Sequence, residues 1–346
     1  MEATTATAAP PVRVGVIGVG RIGSMHAELL ARRVEGASVA AVQDAHTGSA
    51  QKVGSMLDVP VAASVEEMLA APDVDAVAIC TSTDTHAGLI AAAAAAGKAI
   101  FCEKPVSLDL GEVDRALAAV ADAAVPFQIG FNRRFDPGHR SVRDAVVSGR
   151  VGDVHLVRIS SRDPAPPPME YVRTSGGIFL DMTIHDFDMA RYIAGSEVID
   201  VHARGAVRVD PGFAEVGDVD TAVVTLRHEN GALTAIDNSR RAVYGFDQRV
   251  EAFGSLGMAA SENPHAHAGV VRTAAGTEGA VLPYFYLERY LPSYIREWDA
   301  FVAAIAAGES PPVGPPDARA PLVIGLAAWR SVREGRPVSV SEIEAA

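Results

Sequence analysis

Cysteine, tryptophan and basic residues are all scarce in this chain. Only two of its 346 residues are cysteine and two tryptophan, and aromatics make up 6%. So few cysteines exclude a disulfide-framed scaffold and fit a reducing compartment. Cys80 and Cys102 both sit in apolar strand-like runs and read as small buried hydrophobes. Thirty Lys and Arg against 43 Asp and Glu leave a formal net charge of −13. That balance argues against nucleic-acid or anionic-membrane partners, because no basic excess exists to neutralise phosphates. No run approaches the ~18 uninterrupted apolar residues of a membrane helix. The first eleven residues have neither a basic start nor an apolar core, so they read as a flexible leader rather than a secretion signal. A cytoplasmic protein is expected. Hydrophobic residues make up 49% and charged residues 21%, the profile of a globular chain with a substantial core and room for two domains.

Glycine, by contrast, is placed with purpose. Gly18-x-Gly20-x-x-Gly23 follows the apolar run Val12 to Ile17, a buried parallel strand, and opens the helical stretch Met25 to Arg33. In that setting Gly18 makes the tight turn, Gly20 lets a pyrophosphate approach the backbone, and Gly23 lets helix and strand pack closely. The helix start at Arg21 and Ile22 then offers free N–H groups to the phosphates. Asp44 ends the second strand, Ser38 to Gln43, 24 residues beyond Gly20. An acid there accepts from ribose hydroxyls and repels a 2′-phosphate, which favours NAD over NADP. A solvated turn aspartate is the alternative.

The alternation of strands and helices continues to Phe131, as a doubly wound α/β sheet demands. Val65 to Leu69 reads as a short helix, and strands follow at Ala76 to Cys80, Ala99 to Cys102 and Val125 to Gly130. Thr81, Ser82, Thr83 and His86 lie at a strand's carboxyl end, where open sheets bind ligands. Glu103-Lys104-Pro105 ends the next strand, and its proline can take the cis form. Beyond residue 131 a helix, Pro137 to Ser148, precedes a region of strands: Val154 to Ser160, Val198 to Val207, Thr221 to Arg227, Ala232 to Asn238, Gln248 to Gly254 and Gly269 to Thr273. A single helix, Phe179 to Ile193, sits among them. Hairpin signals such as Glu229-Asn230-Gly231 predict an α+β second domain with a mostly antiparallel sheet. The expected division is a leader at 1–11, a Rossmann domain at 12–131 and a substrate and oligomerisation domain at 132–346. A final helix at 317–333 is a candidate to pack back on the first domain.

Hydride transfer to a nicotinamide needs a proton acceptor beside the reacting alcohol. Asp181 and His185 stand four apart, a spacing that puts both on one face of a helix. Histidine is the usual acid–base group near neutral pH, and a carboxylate beside it fixes its tautomer and favours the imidazolium. Gly176-Gly177 just before them could admit close approach of backbone or ligand. Lys104, at a strand end of the nucleotide domain, is placed to hydrogen-bond the alcohol oxygen. A surface ion pair for Asp181–His185 and a solvated charge for Lys104 are the competing readings. Asp181, His185, His265 and His267 supply no convincing third metal ligand, so no metal is expected.

Glu103-Lys104-Pro105, Gly130-Phe-Asn-Arg-Arg-Phe-Asp136, Ser161-Arg-Asp-Pro164 and Asp181-x-x-x-His185-Asp-Phe-Asp-Met-Ala-Arg191 occur in that order after the fingerprint. Together they resemble the glucose–fructose oxidoreductase/inositol dehydrogenase/rhizopine catabolism family, its inositol dehydrogenases most of all. The resemblance covers nearly the whole chain. It implies a Rossmann domain with a large open sheet that builds homodimers or tetramers, and a catalytic trio at Lys104, Asp181 and His185. It further implies substrate contacts from Arg133 and Tyr244. Asp163 stands where some relatives place an asparagine, which leaves the ring stereochemistry open. The implied activity is NAD-dependent oxidation of a cyclic polyol, myo-inositol to its 2-keto form. Sibling substrates (scyllo-inositol, an aminocyclitol precursor, a pyranose), an NAD-sensing regulator and a metal-assisted enzyme are the alternatives.

Overall fold

The computed structural model describes residues 10–345, so most of the expected leader falls outside the described residues. Two compact units divide the chain. One comprises the chain up to Phe131 together with Tyr294–Arg319; the other comprises Asn132–Ser293 together with Ala320 onward.

The first unit is a five-stranded parallel sheet in the order β2-β1-β3-β4-β5, with β1 Val12–Ile17, β2 Ala37–Gln43, β3 Ala76–Ile79, β4 Ala99–Glu103 and β5 Phe127–Gly130. Its central strands are continuous apolar runs because helices cover both faces of such a sheet. Residues of β3 are buried without exception. The connecting helices are α1 Arg21–Arg32, α2 Thr47–Leu57, α3 Val65–Ala70, α4 Thr83–Ala95 and α5 Leu110–Ala123. α2 escapes a reading of the sequence, since its residues are largely small and polar and no side chain caps it.

Tyr294–Arg319 corrects the expected division at 132–346, because this stretch belongs with the first unit. The reason is aromatic packing. Trp298 stacks on Phe101 with centroids 4.3 Å apart, and Phe301 meets Phe101 edge-on at 6.0 Å. Ile129 N also donates to Val313 O at 3.0 Å. Most of this stretch is helical, within a long helix Tyr286–Ala307 whose internal Pro292 hides it from pattern reading.

In the second unit the sheet order is β11-β10-β6-β9-β8-β7-β14. The strands are β6 Val154–Arg162, β7 Val198–Ala206, β8 Thr221–His228, β9 Leu233–Ser239, β10 Asp247–Gly254, β11 Gly257–Ser261 and β14 Val338–Ser339. β6 and β9 run parallel and the remaining pairs antiparallel, so the sheet is mixed. A separate hairpin joins β12 Val270–Thr273 to β13 Gly276–Gly279. Alternation along β8 buries Ala222, Val224 and Leu226 against Phe179, Phe187 and Ile193. α6 Pro137–Val147 starts with proline, and its N-cap Asp136 accepts from Gly138 N at 2.9 Å and His139 N at 3.0 Å.

The single helix expected over Phe179 to Ile193 is in fact two. After the short α7 Met169–Val172 come α8 Gly177–Asp181 and α9 Ile184–Ala194. Between them Thr183 N reaches five residues back to Ile178 O at 2.9 Å, while its hydroxyl donates to Asn238 Oδ1 at 2.7 Å. A partner on β9 therefore breaks the ladder, and Asp181 and His185 end one helix and begin another. Gly176 and Gly177 both have positive φ. A Cβ on Gly177 would lie 2.5 Å from Trp329 and 2.7 Å from Asp218, so this pair admits the chain's own side chains.

Candidate functional site

Within the first unit the fingerprint loop forms at the point where strand order reverses between β1 and β3, the ligand crevice of such sheets. Gly18 takes φ +83°, and a Cβ there would strike Thr81 at 2.8 Å. A Cβ on Gly23 would sit 1.8 Å from Gly18 O, so helix and turn touch backbone to backbone. Gly20 differs, because a Cβ there meets no protein atom within 4 Å. Packing of the chain does not require glycine at that position, whereas close approach of a phosphate does. The residues present thus fit a dinucleotide. Asp44 stands at the end of β2 with Oδ2 accepting from Val19 N at 2.8 Å and Oδ1 from His46 N at 2.8 Å. Those bonds fix the carboxylate and leave further lone pairs for hydroxyl donors. Thr81 and Ser82 lead into α4, which begins at Thr83.

Glu103 and Lys104 end β4, and the Lys104–Pro105 peptide is cis. A relay missed by sequence reasoning stands behind Glu103. Trp298 Nε1 donates to His26 Nδ1 at 2.9 Å, so the imidazole presents Nε2–H to Glu103 Oε1 at 2.8 Å. Lys104 N donates to the other carboxylate oxygen at 3.3 Å.

In the second unit the acids cluster. Asp181 Oδ1 accepts from the Tyr171 hydroxyl at 2.8 Å, and Oδ2 lies 2.9 Å from Arg240 Nη2. Arg240 Nη1 is 3.5 Å from Asp163 Oδ2. Burial pushes the Asp163 carboxyl up, opposed by the Arg240 charge. Beneath them two sequence motifs interlock. Arg133 pairs with Asp186 at 2.7 Å, and Arg134 clamps Asp188 through Nε at 2.9 Å and Nη2 at 2.7 Å. Burial pushes Asp186 up to about 6 while Arg133 and Asn238 hold its oxygens.

Residues 12–131 match the oxidoreductase family with an NAD-binding Rossmann fold, and residues 139–260 match the GFO/IDH/MocA C-terminal domain. The chain belongs to the GFO/IDH/MocA oxidoreductase family. Myo-inositol 2-dehydrogenase of Thermotoga maritima is 48% identical over 333 residues, covering 96% of this chain and 99% of that one. Inositol 2-dehydrogenase of Rhizobium meliloti is 44% identical over 330 residues, covering 95% and 99%. Scyllo-inositol dehydrogenase from Lactobacillus casei, solved with NAD(H) and scyllo-inositol, superposes with a TM-score of 0.89 at 29% identity, covering 96% and 99%.

Several residues expected to touch a ligand also hold bonds within the chain. His86 is buried, with Nδ1 2.8 Å from Pro105 O and Nε2 3.1 Å from Thr81 O. Burial lowers its pKa, so a neutral ring braces the cis segment. Glu103 spends its carboxylate on His26 and the Lys104 amide. Arg133, 7% exposed, pairs with Asp186 and donates to Ser161 Oγ at 3.2 Å. The Tyr244 hydroxyl donates to Asp247 Oδ2 at 2.6 Å and accepts from Arg162 at 2.9 Å, which ties it into its own loop. Arg240 and Tyr171 went unnoticed in the sequence. The available signal was the basic pair Arg240-Arg241 at a strand's carboxyl end in an acidic chain.

Proposed function

We propose that this chain oxidises a secondary alcohol on a cyclic polyol, myo-inositol to its 2-keto form, with NAD⁺ as hydride acceptor. The observation that carries the substrate class is end-to-end similarity to myo-inositol 2-dehydrogenase at 48% identity. His185 takes the hydroxyl proton, Asp181 orients the imidazole and balances its charge, and Lys104 donates to the oxygen on which negative charge develops. When bound, NAD⁺ takes the hydride at its nicotinamide C4. Gly18, Gly20, Gly23 and the first turn of α1 hold the pyrophosphate through backbone N–H groups, Thr81 to Thr83 line the same crevice, and Asp44 accepts from the ribose. Asp163 is the acid available to read a ring hydroxyl, with 23% of its side chain exposed.

Val223, Leu233, Phe253 and Met258 present an exposed apolar face of the large sheet, which supports docking of a second copy. No helix among the described residues is long and apolar enough to cross a membrane, and we place the enzyme in the cytoplasm.

NADH formation followed at 340 nm across inositol isomers and common sugars tests the assignment. Myo-inositol should give the highest kcat/KM, and NAD⁺ should outperform NADP⁺. A preference for scyllo-inositol would move the chain to the activity of its Lactobacillus casei relative. Absence of turnover on every polyol and sugar would leave a nucleotide-sensing role.

A further inference from the structure

One buried cation gathers three acids in the second unit. Arg240 follows β9, is 2% exposed, and faces Asp181, Asp163 and Asp218. Backbone bonds hold its segment against those of Asp163 and Asp220. Arg240 N donates to Asp220 O at 2.8 Å, Asp163 N to Ser239 O at 2.9 Å, and Ala242 N to Asp163 O at 2.6 Å. An ion pair made for stability alone needs one partner, and burying several charges in one place is a poor route to stability. Three carboxylates around one guanidinium instead hold negative charge in place where, without the cation, like charges would take up protons.

We infer that Arg240 is a positioning residue for the dehydrogenase reaction: it keeps the Asp181 carboxylate ionised and aimed, while its own positive charge offsets the carboxylates around it, so that His185 still works as a base at lower pH. This rests on the roles proposed above for Asp181 and His185. The groups facing the cluster come from several elements. Tyr171 on α7 donates to Asp181, its phenol pushed up by burial and so neutral, with Tyr286 acting on it from the long helix. Asp163 follows β6, Asp218 precedes β8, and Arg133 adds a second positive charge felt by Asp163. Removing the Arg240 charge leaves Asp163, Asp181 and Asp218 to repel one another. Every pKa facing the vacated position then rises, including that of a base oriented by Asp181.

The test is kcat against pH in the full-length enzyme with saturating NAD⁺ and myo-inositol. Arg240→Gln should move the acidic limb upward by about one pH unit or more, roughly a tenfold loss of turnover below the limb, with the alkaline plateau preserved. Arg240→Lys, which keeps the charge, should return the limb toward its original place. Asp163→Asn removes a competing negative charge and should move the limb downward. A limb unmoved in Arg240→Gln, or a loss of turnover equal at every pH, overturns the inference. Should Arg240→Gln not fold, Asp163→Asn decides: a downward shift supports the inference, and an unmoved or rising limb overturns it. Asp181→Asn separates the two layers. Parent-like turnover there removes Asp181 from the chemistry and this inference with it, whereas lost turnover beside an unmoved Arg240→Gln limb overturns the inference alone.

Discussion

Gly20 and Gly23 stand three residues apart in one fingerprint, yet alanine should fail at each for a different reason. At Gly20 the backbone is extended (φ −64°, ψ −159°) and no protein atom lies within 4 Å of a new Cβ. Loss of a tolerable helix cap and gain from a stiffer unfolded chain each amount to under about 1 kcal/mol and oppose one another. The folded protein should therefore be almost as stable. Its coenzyme binding should weaken, because the methyl group stands between the phosphates and the amides of α1. Forfeiting one or two hydrogen bonds to a charged group costs about 1.5–3 kcal/mol, which is ~10- to 100-fold in Kd. At Gly23 the methyl would meet Gly18 O at 1.8 Å, backbone against backbone. Relief requires helix and strand to part, at about 3 kcal/mol or more, or a Tm lower by ~6–12 °C. Calorimetric titration with NAD⁺ and thermal melts of both variants check the pair. Parent-like NAD⁺ affinity in Gly20→Ala would refute the reading of that open flank as a phosphate position.

Further expectations concern the second unit and the Glu103 relay. His139 is fully buried, and burial pushes its pKa from 6.5 down to about 4, so the folded state binds fewer protons than the unfolded chain between those values. Its contribution is intact above 6.5 and lost as pH falls toward 4, at most about 3 kcal/mol; urea unfolding should show a smaller acid loss in His139→Asn than in the parent. Arg134→Met takes the two-pronged partner from the buried Asp188 carboxylate, with Arg191 still 3.9 Å away, and should cost about 3–5 kcal/mol, most of it recovered in Arg134→Met/Asp188→Leu, by denaturant midpoint. Trp298→Phe removes the donor to His26 Nδ1 and should cost about 1–3 kcal/mol. Imidazole nitrogen NMR should then show His26 released from its single tautomer. His185→Ala should lower turnover by roughly 10²–10⁴-fold in a steady-state NADH assay, and near-parent turnover would remove it from its role.

Local signals were the legible part. Five apolar runs ending at polar or glycine-rich turns gave the parallel sheet, because each strand's burial is written in its own residues. The fingerprint likewise carries its geometry within six positions. The order of the family motifs was also readable, yet their work was not. Arg133 reads as a substrate contact through the resemblance alone, and its pairing with Asp186, like that of Arg134 with Asp188, is not visible in the sequence. Arg240 lies 59 residues beyond Asp181 and 77 beyond Asp163, so no local period could link them. The helix break at Thr183 depends on Asn238 from a distant strand. Pro292 concealed the long helix that returns Trp298 to the first unit. The bonds of His86 to Thr81 O and Pro105 O were equally hidden, because a polar loop reads alike whether its side chains point toward a ligand or brace a backbone.

Direct transfer of hydrogen from the substrate's carbinol carbon to the coenzyme is the claim on which the account stands. Myo-inositol carrying deuterium at carbon 2, incubated with the enzyme and NAD⁺ in ordinary water, measures it. The account predicts NADH carrying the deuterium at nicotinamide C4 and an unlabelled 2-keto product. Reduced coenzyme without deuterium, or no reduced coenzyme at all, would contradict it.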